Sequence, residues 1–153
     1  KINFDEPAAF DWDLLLAHLN DLKQGKSIDM PTYDYITSSR KEETINMGPH
    51  DVVVLEGILV MSDDRLREMM DIKVFVDADA DDRLIRVISR DCIERGRTPE
   101  MVIDRYEKVL KPMHLKHIEP GKRFCDLIIP QGGHNEVAIN LLTEYIKSKL
   151  NNK

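Results

Sequence analysis

Three short apolar runs stand out in a chain that is otherwise rich in charge: residues 52–55, 72–76 and 127–129. Runs of this length, bounded by polar residues, are typical of strands that are buried on both faces of a parallel sheet. Apolar residues at helical spacing predict helices at 80–95, from residue 99 onwards and at 135–150. Because strands alternate with helices, the pattern predicts an α/β fold with a parallel sheet.

Local signals predict where these helices begin and end. Asp79 is the expected N-cap of the first helix, and Gly96 should end it. Thr98 should cap the next helix, with Pro99 in its first turn and Pro112 kinking or ending it. The expected inward positions are Leu84, Val87, Ile88 and Cys92 in the first helix and Val137, Ile139, Leu141, Leu142 and Ile146 in the last.

The first third of the chain has different patterns. Leucines recur at helical spacing after Trp12, so a helix is predicted from Asp11, and Gly25 should end it. Residues 28–35 and 43–47 alternate weakly between apolar and polar, which predicts an antiparallel hairpin in an arm (27–50) outside the main sheet. Gly25-Lys26-Ser27 resembles the end of a phosphate-binding loop. It follows a helix instead of opening one, so we reject that interpretation.

An acidic residue and a pair of tyrosines suggest a binding site. Glu56 follows the run 52–55 directly, and ligands of open α/β sheets lie beyond the carboxyl ends of the strands. An acid at this position helps to hold magnesium in phosphoryl transferases, although a paired glutamate at an ordinary strand end has the same appearance. Tyr33 and Tyr35 point to the same side of a strand, where they either stack on a flat ligand or cover the core.

Arginines are concentrated near the end of the helix predicted at 80–95. Arg86, Arg90, Arg95 and Arg97 fall within twelve residues, and the last two flank Gly96. Guanidinium groups suit phosphate oxygens, so a flexible loop at 95–99 could act as a lid over a transferring phosphoryl group. The alternative is a solvated helix face whose arginines pair with Asp82, Asp91 and Glu94.

Composition limits the class of protein. The chain has 153 residues, enough for one domain (1–153), with 22 basic against 28 acidic side chains and a net charge of −6. This acidity argues against nucleic acid or a membrane surface as a general partner. Cys92 and Cys125 lack metal-site spacing and suggest reduced thiols in a cytoplasmic protein. No apolar run is long enough to span a bilayer, and no signal peptide is evident.

Several short motifs, taken together, resemble the uridine–cytidine kinase family of P-loop phosphotransferases. They are Asn3-Phe4-Asp5-Glu6-Pro7, Pro31-Thr32-Tyr33-Asp34-Tyr35 with Ser39-Arg40-Lys41-Glu42-Glu43-Thr44, Val54-Leu55-Glu56-Gly57-Ile58-Leu59, Phe75-Val76-Asp77-Ala78-Asp79-Ala80-Asp81, Arg90-Asp91 with Glu94-Arg95-Gly96-Arg97, Lys111-Pro112 and Asp126-Leu127-Ile128-Ile129-Pro130. The motifs occur in order over nearly the whole chain. The resemblance implies transfer of the γ-phosphate of ATP or GTP, with Mg²⁺, to the 5′-hydroxyl of uridine or cytidine. It also implies a role in pyrimidine salvage and a cytoplasmic homotetramer.

The resemblance also implies roles for individual residues on the nucleoside side. Carried over by position, Asp5 is expected to hold the ribose hydroxyls, and Phe4 and Ile58 to line the nucleoside pocket. Tyr33 and Tyr35 of the hairpin are expected to contact the base, which favours their stacking interpretation.

A second group is implied on the phosphate side. Glu56 is expected to belong to the magnesium shell. Arg90, Arg95 and Arg97 are the expected catalytic lid contacts to phosphates, with Arg97 nearest the acceptor. Arg105 stands where the family offers a further polar side chain to the base.

Two positions depart from the family pattern. Ser38 stands where the animal members use a histidine on the base, a replacement that looks typical of the bacterial branch. Val87 follows Arg86 where the family usually has a second arginine that reaches the nucleoside. We expect weakened nucleoside affinity from the loss of this charge-assisted hydrogen bond.

The family's P-loop, its first two strands and its general-base aspartate precede the part that these residues match. The family sheet runs 2-3-1-4-5, so the strands at 52–55 and 72–76 would lack the strand between them. We therefore expect the 153 residues to be part of a longer chain and to be inactive when taken alone. The alternatives are an inactive fragment or paralogue serving as a nucleoside-binding or oligomerisation module, and another P-loop kinase such as a phosphoribulokinase or pantothenate kinase relative.

Overall fold

A computed structural model describes residues 3–34, 37, 39–131 and 134–151. Their backbone falls into two units. The smaller unit is Asp11–Glu56, and the larger unit combines Lys1–Phe10 with Gly57–Lys153.

The smaller unit contains the predicted helix and hairpin. Helix α1 is Trp12–Lys23, and the Asp11 carboxylate caps it by accepting the main-chain N–H of Leu14 at 3.2 Å. Gly25 follows its end with φ of 77°, a left-handed conformation that glycine adopts without strain. Strands β1 (Ile28–Asp34) and β2 (Ser39–Met47) pair antiparallel, with an irregularity between Pro31 and Tyr33. Helix and hairpin are confirmed, although β2 begins before the predicted residue 43.

The run 52–55 is not a strand, so this prediction is wrong. Its residues form no ladder, and Val54 is 82% exposed. Apolar sequence supplies only the side chains of a buried strand, whereas the strand itself requires hydrogen bonds to a neighbour. Within the described part of the chain no strand pairs with this segment.

The larger unit contains most of the secondary structure. Its elements are a 3₁₀ turn (Pro7–Ala9), α2 (Asp64–Met69), β3 (Val74–Val76), α3 (Ala80–Glu94), α4 (Pro99–Arg105), a π-helical turn (Tyr106–Leu110), α5 (Lys111–Met113), a second π-helical turn (His114–Ile118), a 3₁₀ segment (Glu119–Phe124), β4 (Leu127–Ile129) and α6 (Glu136–Asn151). Asp79 and Thr98 take the predicted cap positions of α3 and α4. Only Thr98 makes the side-chain cap bond, accepting the N–H of Met101.

The parallel sheet is present as one pair of short strands. β3 and β4 align Val74 with Leu127 and Val76 with Ile129. Ile129 is buried, but Val76, Leu127 and Ile128 are exposed, so the prediction of burial on both faces fails here. The pair nonetheless confirms the predicted parallel α/β arrangement.

Helical structure continues through Pro112, so the prediction that this proline ends the helix is wrong. A proline removes one N–H and crowds the preceding turn of an α-helix. Here the wider π-helical turn Tyr106–Leu110 directly precedes α5, in which Pro112 occupies an early position. Wider turns of this kind change the hydrogen-bond pattern, so the chain passes the proline without stopping.

The core of the larger unit includes residues that the apolar pattern did not single out. Leu59, Leu66 and Val102 are fully buried or nearly so. Leu66 lies in α2, whose first turn is capped by the Asp63 carboxylate, which accepts the Leu66 N–H at 3.1 Å. This short helix was not predicted.

Helix α6 turns a different face inward from the one predicted. Ala138, Leu142, Ile146 and Leu150 are half-buried, whereas Val137, Ile139 and Leu141 are exposed. Positions 138, 142, 146 and 150 repeat every four residues and share one face of a helix. Val137 and Leu141 lie about 100° away from that face. Leu142 and Ile146 were therefore predicted correctly, and the other three positions were not.

Candidate functional site

The turn after α3 brings several arginines to one place. Gly96 has φ of 61°, which allows the chain to reverse immediately after the helix. The main-chain N–H of Arg97 then donates to the carbonyl oxygen of Asp91 at 3.1 Å. The loop predicted as a lid thus returns onto the last turns of α3.

The Asp91 carboxylate lies at the centre of this group. Its residue is 0% exposed, and it is the one buried charged residue in the part of the chain that the structure describes. Arg90 reaches Oδ1 through Nε and Nη2, both at 2.9 Å, and Arg95 Nη1 lies 3.2 Å from the same oxygen. Arg97 Nη1 donates to Oδ2 at 2.5 Å.

The arginines keep Asp91 ionised. Burial alone would raise the pKa of the Asp91 carboxyl, because a charge is less stable away from water. The hydrogen bond from Arg90 and the charges of Arg90, Arg95 and Arg97 outweigh burial and lower this pKa below its ordinary value. Asp91 is therefore a permanent anion at neutral pH.

Arg105 connects this group to the start of the chain. Its Nη1 lies 3.8 Å from Asp91 Oδ2, and its Nη2 donates to Asp5 Oδ2 at 3.5 Å. A turn holds Asp5 in place, because its N–H donates to the Asn3 side chain at 3.1 Å. The fold thus brings together two carboxylates that lie far apart in the sequence.

We call Asp5, Asp91, Arg90, Arg95, Arg97 and Arg105 the arginine cluster. Four guanidinium groups share two carboxylates, so the cluster retains an excess of positive charge. Each guanidinium is partly exposed. Partly exposed arginines with excess charge favour an anion that accepts several hydrogen bonds, such as a phosphate group.

The cluster contains five of the residues that the sequence marked: Asp5, Arg90, Arg95, Arg97 and Arg105. The pairing interpretation holds for Asp91, which binds Arg90, Arg95 and Arg97, while contact with a phosphoryl group stays a prediction. Asp91 was one of three candidate partners in the sequence, and only the structure shows that Arg90, Arg95 and Arg97 share it. The available signal was its position next to Arg90 and four residues before Arg95, a spacing at which helix side chains meet.

Six further residues were marked in the sequence as candidate site residues. Phe4 and Ile58 belong to the larger unit and are exposed. Tyr33 and Glu56 belong to the smaller unit, where Tyr33 stands opposite Arg40 in the hairpin register. Tyr35 and Ser38 lie outside the described residues. The roles expected for these six residues stay predictions.

A second polar group follows the carboxyl end of β3. Lys122 Nζ lies 3.0 Å from Asp77 Oδ1 and donates to Glu119 Oε1 at 2.8 Å. His114 Nε2 lies 3.1 Å from Glu119 Oε2. The pKa of His114 is lowered, chiefly by burial and then by the charge of Arg83, so this ring is neutral at pH 7. The group links β3 to the segment before β4, and no sequence pattern predicted it.

Metal ligands are sparse in the described parts of the chain. No three His, Cys, Asp or Glu side chains among residues 3–34, 37, 39–131 and 134–151 lie close enough to hold a metal ion. Magnesium in phosphoryl transferases typically needs only one or two carboxylates, with water and substrate phosphates completing its shell. Glu56 has an exposed carboxylate, which is the kind of ligand that such a shell requires.

Among the residues that the structure describes, no helix has both the length and the apolar character needed to cross a bilayer.

Comparison with known proteins shows the family of this chain. Residues 1–138 match the family model described as the phosphoribulokinase / uridine kinase family. A uridine kinase of Halalkalibacterium halodurans is 54% identical over 153 residues, which are 100% of this chain and 72% of that protein. A uridine kinase of Anoxybacillus flavithermus is 54% identical over 150 residues, 98% of this chain and 71% of the relative.

A solved structure shares the fold. It is described as a candidate fructose transport system kinase of Silicibacter sp. TM1040, and it matches with a TM-score of 0.64 at 18% identity. The match covers 82% of this chain and 63% of the other. At this identity the likeness concerns the fold alone.

Proposed function

This chain belongs to the phosphoribulokinase / uridine kinase family, and we propose that it acts as a nucleoside kinase. The proposed reaction transfers the γ-phosphate of ATP or GTP to the 5′-hydroxyl of uridine or cytidine and yields UMP or CMP. The two relatives named as uridine kinases match 100% and 98% of the chain, which favours a nucleoside over the other acceptors of the family. We propose further, from the resemblance alone, a homotetramer that serves pyrimidine salvage.

The observation that carries the proposal is the arginine cluster. It joins a carboxylate suited to ribose hydroxyls, Asp5, to the lid arginines through Arg105. A nucleoside kinase must hold a neutral sugar beside a triphosphate, so it needs acceptors for hydroxyl groups next to donors for phosphate oxygens. The cluster offers both kinds of group within one unit of the fold.

On this proposal the site residues have separate roles. Asp5 accepts hydrogen bonds from the ribose hydroxyls, and Arg97 contacts phosphate oxygens near the acceptor. Arg90 and Arg95 stabilise the charge that spreads over the transferred group. The nucleoside would be contacted by Phe4, Ile58, Tyr33, Tyr35 and Ser38. Arg105 would donate its remaining N–H groups to the base. Glu56 would contribute one ligand to Mg²⁺, which neutralises phosphate charge when bound.

A panel of acceptors tests the function. The protein as encoded by its gene is incubated with Mg²⁺ and ATP or GTP, and with uridine, cytidine, ribulose 5-phosphate or pantothenate in turn. We expect nucleoside monophosphate with uridine or cytidine and no product with the other two acceptors. Uridine binding in calorimetry without turnover would favour a binding module. Phosphorylation of ribulose 5-phosphate or pantothenate in place of uridine would assign the protein to another branch.

The valine after Arg86 gives a prediction on affinity. Val87→Arg should lower the KM for uridine by about tenfold or more, because a charge-assisted hydrogen bond is worth about 1.5–3 kcal/mol. Val87 is half-buried in α3, so an arginine there keeps part of its stem packed. Steady-state kinetics at saturating ATP measure the change. Ser89→Arg adds the same charge at an exposed position of α3 and should leave the KM unchanged. An unchanged KM in Val87→Arg would show that the family position has no role here.

A further inference from the structure

We infer that Asp91 is the positioning residue of the lid: its buried carboxylate holds the guanidinium groups of Arg90, Arg95 and Arg97 in one orientation for a phosphate-bearing substrate. The inference rests on the proposed kinase function and deepens it. Asp91 needs no contact with either substrate. It acts through the arginines that surround it.

The Asp91 carboxylate is more deeply buried than the arginines that bind it. The Asp91 side chain is 1% exposed, whereas the side chains of its arginine partners are 33–45% exposed. A carboxylate removed from water is costly unless several donors satisfy it. A pair formed only to neutralise surface charge could have kept both partners in solvent. Here the anion is fixed inside, and the cations extend from it toward solvent.

The arginines bind Asp91 through only some of their nitrogen atoms. Arg90 engages Oδ1 edge-on through two nitrogens, while Arg95 and Arg97 each approach through Nη1. An arginine has five N–H donors, so each guanidinium has donors beyond those directed at Asp91. The carboxylate therefore orients the arginines without using all of their hydrogen-bonding capacity.

After the turn at Gly96, two hydrogen bonds join Arg97 to Asp91. The Arg97 main chain donates to the Asp91 carbonyl oxygen, and the Arg97 side chain donates to the Asp91 carboxylate. One residue thus holds both the backbone and the side chain of the loop that carries Arg97. Rate in phosphoryl transfer depends strongly on such placement, since about 1 Å of displacement can cost about 10²-fold.

A purely stabilising role for Asp91 makes a different prediction. Ion pairs at a helix end can raise the melting temperature without any effect on catalysis. A measurement of kcat distinguishes the positioning role from the stabilising role, because replacement of a purely stabilising residue leaves the turnover of the folded protein unchanged. The test must therefore report turnover per folded molecule.

Asp91→Asn in the protein as encoded by its gene provides that test. Asparagine keeps the size of the side chain but removes the charge that orients three guanidinium groups. We expect kcat at saturating uridine and ATP to fall by about tenfold or more, and the KM for uridine to change less than about threefold. Asp63→Asn is the matched control, since Asp63 also pairs with an arginine and caps a helix but lies outside the cluster. It should lower the melting temperature and leave kcat unchanged. A kcat for folded Asp91→Asn within about twofold of the wild type overturns the inference.

A double-mutant cycle shows whether Asp91 acts through the arginines. Arg90→Gln is made alone and together with Asp91→Asn. We expect the effect of Asp91→Asn on kcat to shrink to less than half, on a logarithmic scale, when Arg90 is already replaced. Additive effects would mean that Asp91 does not act through Arg90, and the inference would fail.

The same double-mutant cycle can be measured by ligand binding instead of by turnover. Calorimetry measures the affinity of each variant for inorganic pyrophosphate, with the same expectation of non-additive effects. If the wild type phosphorylates no nucleoside, the proposed function fails, and the pyrophosphate cycle still decides the role of Asp91. Non-additive effects would support the positioning role for another phosphate-bearing substrate, and additive effects would overturn it.

Discussion

Arg97→Gln is expected to lower the kcat of uridine phosphorylation by about 10²–10³-fold, the range found when one donor to a charged transition state is removed. Arg97 belongs to a cluster in which positive charge exceeds negative charge. Its position is fixed, because Asp91 accepts hydrogen bonds from both its main-chain N–H and its side chain. Glutamine keeps a hydrogen-bond donor of shorter reach but loses the charge. Steady-state kinetics with saturating uridine and ATP measure the change.

Two variants control for this result. Arg97→Lys retains the charge without the planar fork, and we expect an intermediate kcat, since lysine cannot donate to Asp91 and to a phosphate in the same geometry. Arg65→Gln removes an arginine that pairs with Asp63 outside the cluster, and its kcat should match the wild type. Equal kcat values for Arg97→Gln and Arg65→Gln would remove Arg97 from the proposed catalytic group.

Leu66→Ala is expected to lower the free energy of unfolding by about 2–5 kcal/mol. Leu66 is 0% exposed, so truncation removes apolar burial and leaves a cavity that the neighbouring backbone cannot easily fill. The next residue in the helix is held by two contacts: Arg67 Nη1 donates to the Met61 carbonyl oxygen at 2.6 Å, and the Arg67 guanidinium lies 3.9 Å from the centroid of the Phe124 ring. Urea unfolding followed by circular dichroism measures the change.

Leu115→Ala is the matched control for this prediction. Leu115 lies in the same unit of the fold but is exposed, so the same truncation should cost less than about 1 kcal/mol. Similar losses in the two variants would show that α2 does not contribute to the core as described. A loss of several kcal/mol is a large part of the 5–15 kcal/mol that typically stabilises a domain of this size.

The elements best predicted from the sequence depend on neighbours along the chain. Helices α1, α3 and α4 and the hairpin β1–β2 follow from periodic apolar residues and from local caps and turns. The arginines around Asp91 could be grouped for the same reason, because Arg90 and Arg95 lie within about one turn of it. Local sequence is sufficient where the interacting residues are close in the chain.

The predictions that failed depend on partners distant in the chain or on the choice between helix faces. The run 52–55 has the composition of a buried strand, but strand pairing is a property of two segments. Helix α6 carries apolar residues on more than one side, and packing against the unit selects one of them. Pro112 is an exception, since the prediction that it ends the helix failed for a local reason: a π-helical turn directly precedes it.

The arginine cluster combines both kinds of information. Its arginines, and the family to which they point, could be recognised in the sequence, since motifs in order along a chain are specific. The contact between Arg105 and Asp5 spans 100 residues, and the burial of Asp91 depends on how helices and loops pack around it. Neither follows from local propensity, because burial and long-range ion pairs arise only when distant segments are brought together.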